Sequence, residues 1–334
     1  MRQPTGRFTC QTKLCSDCAN VLLKNGWPVA ELDRLSDNVS KAFECGASVS
    51  HVQRLDVSIV ASRSESPSTR ANLAAFWREV GHRTILAVVS AQETYEELVR
   101  GCFGAINGRN ALLACLAARA LVEHAASYCN LSSSLAIKRE FVESQVVPEL
   151  NADDHEAPPS SAFDYDILRE LVLFQFGTRV LPDGSLPDTA QEWREWRERC
   201  VYPTKQERKD AHVAPPFVKV VLDATQSCQK NCMTLLEKLE KQPQYACIQV
   251  LYAILSEFCH PNSANRELGF SSHGIQTDKL VFERDRTDYW TPARKRALEA
   301  SICAVGLATE LHVQSWNAVR EFLAALAAIG SPGN

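Results

Sequence analysis

Apolar residues along this chain recur every three or four positions, the mark of helices that bury one face. Over residues 28–45 Pro28 falls in a first turn, Val29, Leu32, Leu35, Val39 and Phe43 follow, and Gly46 is placed as a stop. Val49, Val52, Leu55 and Ile59 carry a second helix over 48–61, and the Ser-rich run 62–70 (SRSESPSTR) reads as a connection. A long helix or a broken pair is expected from Ala71 to Val99, with Gly81 as its weak point. Asn107–Gly108 introduces a helix beginning at Ala111. Further helical stretches follow at 132–147, closed by Pro148, at 164–176, from Pro216 to about Lys241, from Pro243 to Pro261, and from Pro292 to Ile329 with a break expected at Gly306. The acidic, Pro-rich stretch 151–162 and the turn-rich 181–188 separate some of these. Only 279–285 (KLVFERD) reads as a strand, short and isolated. The pattern predicts an all-α, multi-helix bundle.

Two of these helices are apolar almost throughout, and each carries one narrow polar line. In the first, 111–129 (ALLACLAARALVEHAASYC), the exceptions are Arg119, Glu123 and His124. In the second, 245–262 (YACIQVLYAILSEFCHPN), Tyr252, Ser256 and His260 stand at successive i, i+4 positions and so share one face. Charged groups in apolar surroundings are seldom left unpaired, so each line is the natural partner of the other. Arg119 and Glu123, four apart, share a face as well. His124 lies five residues beyond Arg119, a rotation of about 140° on an ideal helix, so those two diverge.

Composition narrows the possible functions. The chain has 334 residues, 45% of them apolar and 23% charged, enough to bury a real core. A formal charge of −4 argues against a dedicated nucleic-acid or membrane-surface binder, although a local basic patch would survive that argument. The first residues, MRQPTGRFTCQTKLCSDC, lack the apolar core of a signal peptide, and no membrane span is expected, which points to the cytoplasm. The 13 cysteines are scattered through predicted helices and read as reduced, buried small residues. Cys10, Cys15 and Cys18 (C-x4-C-x2-C) resemble half of a zinc site, with Cys45 or His51 as a fourth ligand. No second compact pair follows, and no metal is assigned.

Other chemistry competes with simpler readings. Glu79-x-x-His82 and Glu257-x-x-His260 spell the motif from which helical bundles build di-iron centres, but Gly81 interrupts the first, and no cofactor is assigned. In 191–200 (QEWREWRERC), Trp193 and Trp196 alternate with Arg194, Arg197 and Arg199, as in stacking sites for single-stranded nucleic acid. Glu192, Glu195 and Glu198 offset those arginines, so a core-facing Trp pair with a solvated ion-pair face is the simpler reading. His155 and His212 are expected at the surface. No Walker loop, nucleophile elbow, dinucleotide fingerprint or H-E-x-x-H is present.

The spacing Arg119-x4-His124 matches the R-x4-6-H pattern of HEPN proteins, helical families that include metal-independent RNA-cutting toxins. Arg266-x6-His273 matches it too, which is what chance placement gives. A wider likeness rests on two motifs in order, 119–124 (RALVEH) and 252–262 (YAILSEFCHPN). Over about residues 70–265 the chain resembles all-helical, HEPN-related bacterial proteins. That resemblance implies an HEPN-like core at 70–265, an N-terminal helical extension at 1–61 and a C-terminal helical region at 266–334. It also implies a polar core of Arg119, Glu123, Tyr252, Ser256 and His260, and action on RNA as a ribonuclease of a toxin or phage-defence system. In that chemistry Arg119 would stabilise the pentacovalent phosphate, His124 or His260 would move the proton, and Glu123 would orient one of them. Ala120 departs from the nuclease-active pattern, where a polar residue often follows the arginine, so a catalytically silent relative stands beside the active enzyme. The alternative from another class is a non-enzymatic interaction module, joined to a second copy or another protein, whose polar network is structural.

Overall fold

The computed structural model describes residues 13–52, 70–151, 158–176, 232–260, 268, 272–276, 279–283 and 289–327. Helices dominate, as the periodicity predicts: α1 (Ser16–Lys24), α2 (Val29–Val52), α3 (Arg70–Asn107), α4 (Ala111–Phe141), α5 (Val147–Asn151), α6 (Tyr165–Phe176), α7 (Cys232–Glu240), α8 (Ile248–Cys259) and α9 (Pro292–Ala327). The segment 279–285 is not isolated. Its residues Lys279–Glu283 (β2) pair antiparallel with Ser272–Gln276 (β1), with Gln276 opposite Lys279. The stretches 53–69, 152–157 and 177–231, with His51's side chain, Cys10, Arg266 and the Trp–Arg run, lie outside what is described.

Several expected breaks are absent. Helix α2 continues through Gly46, α3 through Gly81 and α9 through Gly306. A mid-helix glycine costs only about 1 kcal/mol relative to alanine, less than a packed helix face returns. A Cβ at Gly81 would meet Leu326 Cδ1 at 3.5 Å, and one at Gly306 would meet Leu35 Cδ1 at 3.6 Å, so both glycines lie against neighbouring side chains. Pro148 does not end its helix either. A single π turn, Val142–Val146, precedes it and lets helix continue as α5; a widened turn accommodates the ring and the lost N–H of proline.

Two chain reversals use the same device. After α1, Trp27 N–H donates to Leu22 O and Gly26 N–H to Leu23 O, with Gly26 at φ 90°. After α3, Asn110 N–H donates to Ala105 O and Arg109 N–H to Ile106 O, with Arg109 at φ 55°. Both are Schellman caps, in which a left-handed residue turns the chain back onto orphaned helix carbonyls. Asn110 then caps α4, its Oδ1 accepting from Leu113 N–H at 3.1 Å.

The chain forms two compact units, each drawn from distant parts of the sequence. The first takes in Met1–Gly46, Gln92–Ala126 and Leu235–Val313. Its core holds Val21, Leu22, Val39, Val99, Phe103, Leu121, Val122, Ile248, Leu255, Val305 and Leu311. Alanines and other small residues line the approach of α4 to α9, where Ser301 Oγ lies 3.8 Å from Cys115 Sγ and donates to Ala297 O at 2.7 Å. The second unit takes in Ala47–Ala91, Ser127–Thr234 and Gln314–Asn334. It is built on aromatic packing: Trp77 is 1% exposed, donates through Nε1 to Ala162 O at 3.0 Å, and meets Phe76 and Phe141. Burying such side chains contributes about 1.5–3 kcal/mol each. Ala111–Leu150 is by length and hydropathy apolar enough to cross a membrane, and 44% of that window is buried in the fold, as befits a core helix.

Candidate functional site

The two polar lines meet within the first unit. Tyr252, on the buried face of α8, is 9% exposed and reaches α4 with its phenol. The Tyr252 hydroxyl donates to Glu123 Oε1 at 2.6 Å and accepts from Arg119 Nη2 at 2.9 Å and Nε at 3.2 Å. Arg119 Nε also donates to Glu123 Oε1 at 3.2 Å, which closes a triangle. The guanidinium carbon lies 5.1 Å from the Tyr252 ring centroid. The side chains of Arg119 and Glu123 remain 29% and 39% exposed, so the triangle sits at the rim of the core.

Partial burial works against the charge on Arg119, but the Tyr252 hydroxyl and the Glu123 carboxylate outweigh it and hold the guanidinium pKa above its ordinary value. The same charges reach Cys259, at the end of α8. Burial raises that thiol's pKa, Arg119 lowers it and Glu123 raises it further. Cys259 belongs to the site's surroundings, and sequence reasoning missed it. Its position seven residues after Tyr252, two helical turns along the same face, is the signal that was there to find.

Ser256 and His260 are not drawn into the triangle. Ser256 Oγ is buried and makes no hydrogen bond among the described residues. His260 follows the last residue of α8, where the chain turns extended (φ −79°, ψ 150°), and it is exposed. Its i+4 spacing from Ser256 therefore does not carry its ring along the helix face. His124 is half-buried and stands near His312, a core residue of α9, whose protonation it disfavours. Leu112 and Leu116 lie on the same face of α4 as Arg119 and Glu123, at 37% and 45% exposure, so an open apolar stripe leads into the charged pair. Among the described residues no group of three or more His, Cys, Asp or Glu side chains is placed to hold a metal ion, and Glu79 pairs with Arg83 at 2.7 Å.

A second polar network was not foreseen. Tyr95 and Gln92 on α3 face Thr309 and His312 on α9. His312, 1% exposed, stacks on Tyr95 at 4.1 Å between centroids, and its Nε2 donates to Gln92 Oε1 at 2.8 Å. Tyr95 Oη and Thr309 Oγ1 are 2.8 Å apart, and Gln92 Nε2 donates to Ala42 O at 3.1 Å and Glu96 Oε1 at 2.9 Å. Burial pushes the His312 pKa down to about 3, with the neighbouring His124 adding to the shift. Burial likewise pushes the Tyr95 phenol well above its ordinary pKa, so both groups are neutral.

No protein-family model, curated protein or solved structure matches this chain.

Proposed function

We propose that the chain is a catalytically silent, HEPN-like helical protein that acts in the cytoplasm as an interaction module, in the setting of a bacterial toxin or phage-defence system. The observation that supports silence is the occupancy of Arg119. Its Nε and Nη2 groups are taken by Tyr252 and Glu123, and the Glu123 carboxylate repels the phosphate that an RNA-cutting arginine must hold. His260, the proton carrier expected from the i+4 line, follows the last residue of α8, where the chain turns extended. The stripe of Leu112 and Leu116 running into a half-exposed ion pair supports binding of a second copy or another protein, because apolar area supplies affinity while charges at the rim set register.

The exposure of Arg119 and of His260 favours the second reading, an active metal-independent ribonuclease. Incubation of the folded full chain with single-stranded RNA in EDTA separates the two. Intact RNA and no growth defect on overexpression are expected. Cutting in EDTA that disappears in Arg119→Ala, with the fold retained, would replace the silent reading with the nuclease. Cutting that survives Arg119→Ala and stops in EDTA would indicate a metal-dependent contaminant.

A further inference from the structure

Cys15 and Cys18 are the two ends of a C-x-x-C at the start of α1, and their sulfurs lie 3.2 Å apart. Cys15 occupies the N-cap position but makes no side-chain cap, so its thiol is not committed to the helix. It is half-exposed, whereas Cys18 is fully buried with its Sγ 3.6 Å from Ile106 O. The backbone around the pair is held. Cys15 N–H donates to Asn107 Oδ1 at 2.8 Å, and Asn107 Nδ2 donates to Lys13 O at 3.0 Å. Between the cysteines, Asp17 Oδ2 accepts from Arg109 Nη2 at 2.8 Å and Trp290 Nε1 at 3.1 Å, so its carboxylate is already engaged.

We propose that Cys15 and Cys18 are a dithiol site that closes to a reversible intrachain disulfide by exchange with a low-molecular-weight disulfide such as oxidised glutathione. The Cys15 thiolate attacks one glutathione sulfur, the glutathione S–S bond breaks, and glutathione thiolate leaves with its electron pair. The Cys18 thiol then loses its proton to solvent, attacks Cys15 Sγ, and expels the second glutathione. One disulfide is consumed and one formed, two glutathione thiols are released, and the protein loses two hydrogens. The sulfurs need to approach by about 1.1 Å to reach bonding distance, a rotation of the uncommitted Cys15 side chain on a fixed backbone. Exposure sets the order. Only Cys15 is open to an external disulfide, and Cys18, its pKa raised by burial and by Cys15 to about 12, acts from within.

The test equilibrates the folded full chain with glutathione buffers of graded poise, traps free thiols with a maleimide and maps the peptides by mass. A peptide bridged between residues 15 and 18, two hydrogens lighter and recovered on reduction, is expected from the unaltered chain. Cys18→Ser should accumulate glutathione on Cys15, and Cys15→Ser should leave Cys18 unmodified while the fold persists. Absence of the bridge at every poise overturns the proposal. So does glutathione on Cys18 in Cys15→Ser at the rate seen for Cys15. A metal ion that purifies with the chain and is lost in both serine variants overturns it in favour of a metal site.

Discussion

The first unit contains two polar networks that use the same residue chemistry in opposite ways. Between α4 and α8, Arg119, Glu123 and Tyr252 form a charged triangle that water still reaches, with side chains 29% and 39% exposed at the ion pair. Between α3 and α9, Gln92, Tyr95, Thr309 and His312 are neutral and buried, none more than 4% exposed. The difference lies in what each loses when a member is removed. A buried hydrogen-bonding group stripped of its partner carries the full desolvation penalty, whereas a rim charge is rescued by solvent. The inner network therefore fixes the packing of its helices, and the outer one stays open to water.

The comparison predicts a graded series. His312→Ala should cost about 3–5 kcal/mol in denaturant melts, because it opens a cavity against Tyr95 and leaves Gln92 Oε1 without a donor; a cost near 1 kcal/mol would remove the distinction between the networks. Acid should act on the same residue. The folded pKa of His312 lies near 3 against 6.5 when unfolded, so the unfolded chain binds more protons between these values. Its stabilising contribution is complete above about pH 6.5 and is lost as pH falls towards 3, at up to about 1.4 kcal/mol per pH unit. Urea melts at pH 7 and pH 5 should show a steeper loss in the unaltered chain than in His312→Leu.

Glu123→Ala and Tyr252→Phe should each cost about 1 kcal/mol, since water compensates a half-exposed pair. A loss of 3–5 kcal/mol, the cost of breaking a sealed ion pair, would make the outer network structural. Smallest of all, Glu97→Ala should stay within about 0.5 kcal/mol, its side chain being 79% exposed and 3.7 Å from Arg100.

The helical class was legible because apolar spacing survives every local irregularity. The helix ends were less so. Gly81, Gly306 and Pro148 read as breaks on propensity alone, and only the packing partners, or the π turn at 142–146, show why the helix continues. The outer network was visible because charges stand out in an alanine- and leucine-rich helix. The inner one carries the same spacing signal, Gln92 and Tyr95 three apart on α3 and Thr309 and His312 three apart on α9. Ordinary-looking flanks hid it. His260 shows the converse limit, since i+4 spacing places a residue on a face only while the helix lasts.

The two Schellman caps differ in one residue type, and the difference makes Arg109 a compromise. Gly26 adopts its left-handed backbone without strain, while Arg109 holds φ 55° at a cost of roughly 1 kcal/mol. In return its guanidinium pairs with Asp17 at 2.8 Å, both side chains about half exposed, a contact of similar size. Glycine at 109 would relax the turn and release the first helix at once, so global stability would hardly register the exchange. Hydrogen exchange at the amides of Cys15 to Ala19 would register it, with faster opening of α1 against an unchanged core. Position 109 trades comfort in the backbone for tethering of the N-terminal segment, a substitution silent in a melting curve and audible only locally.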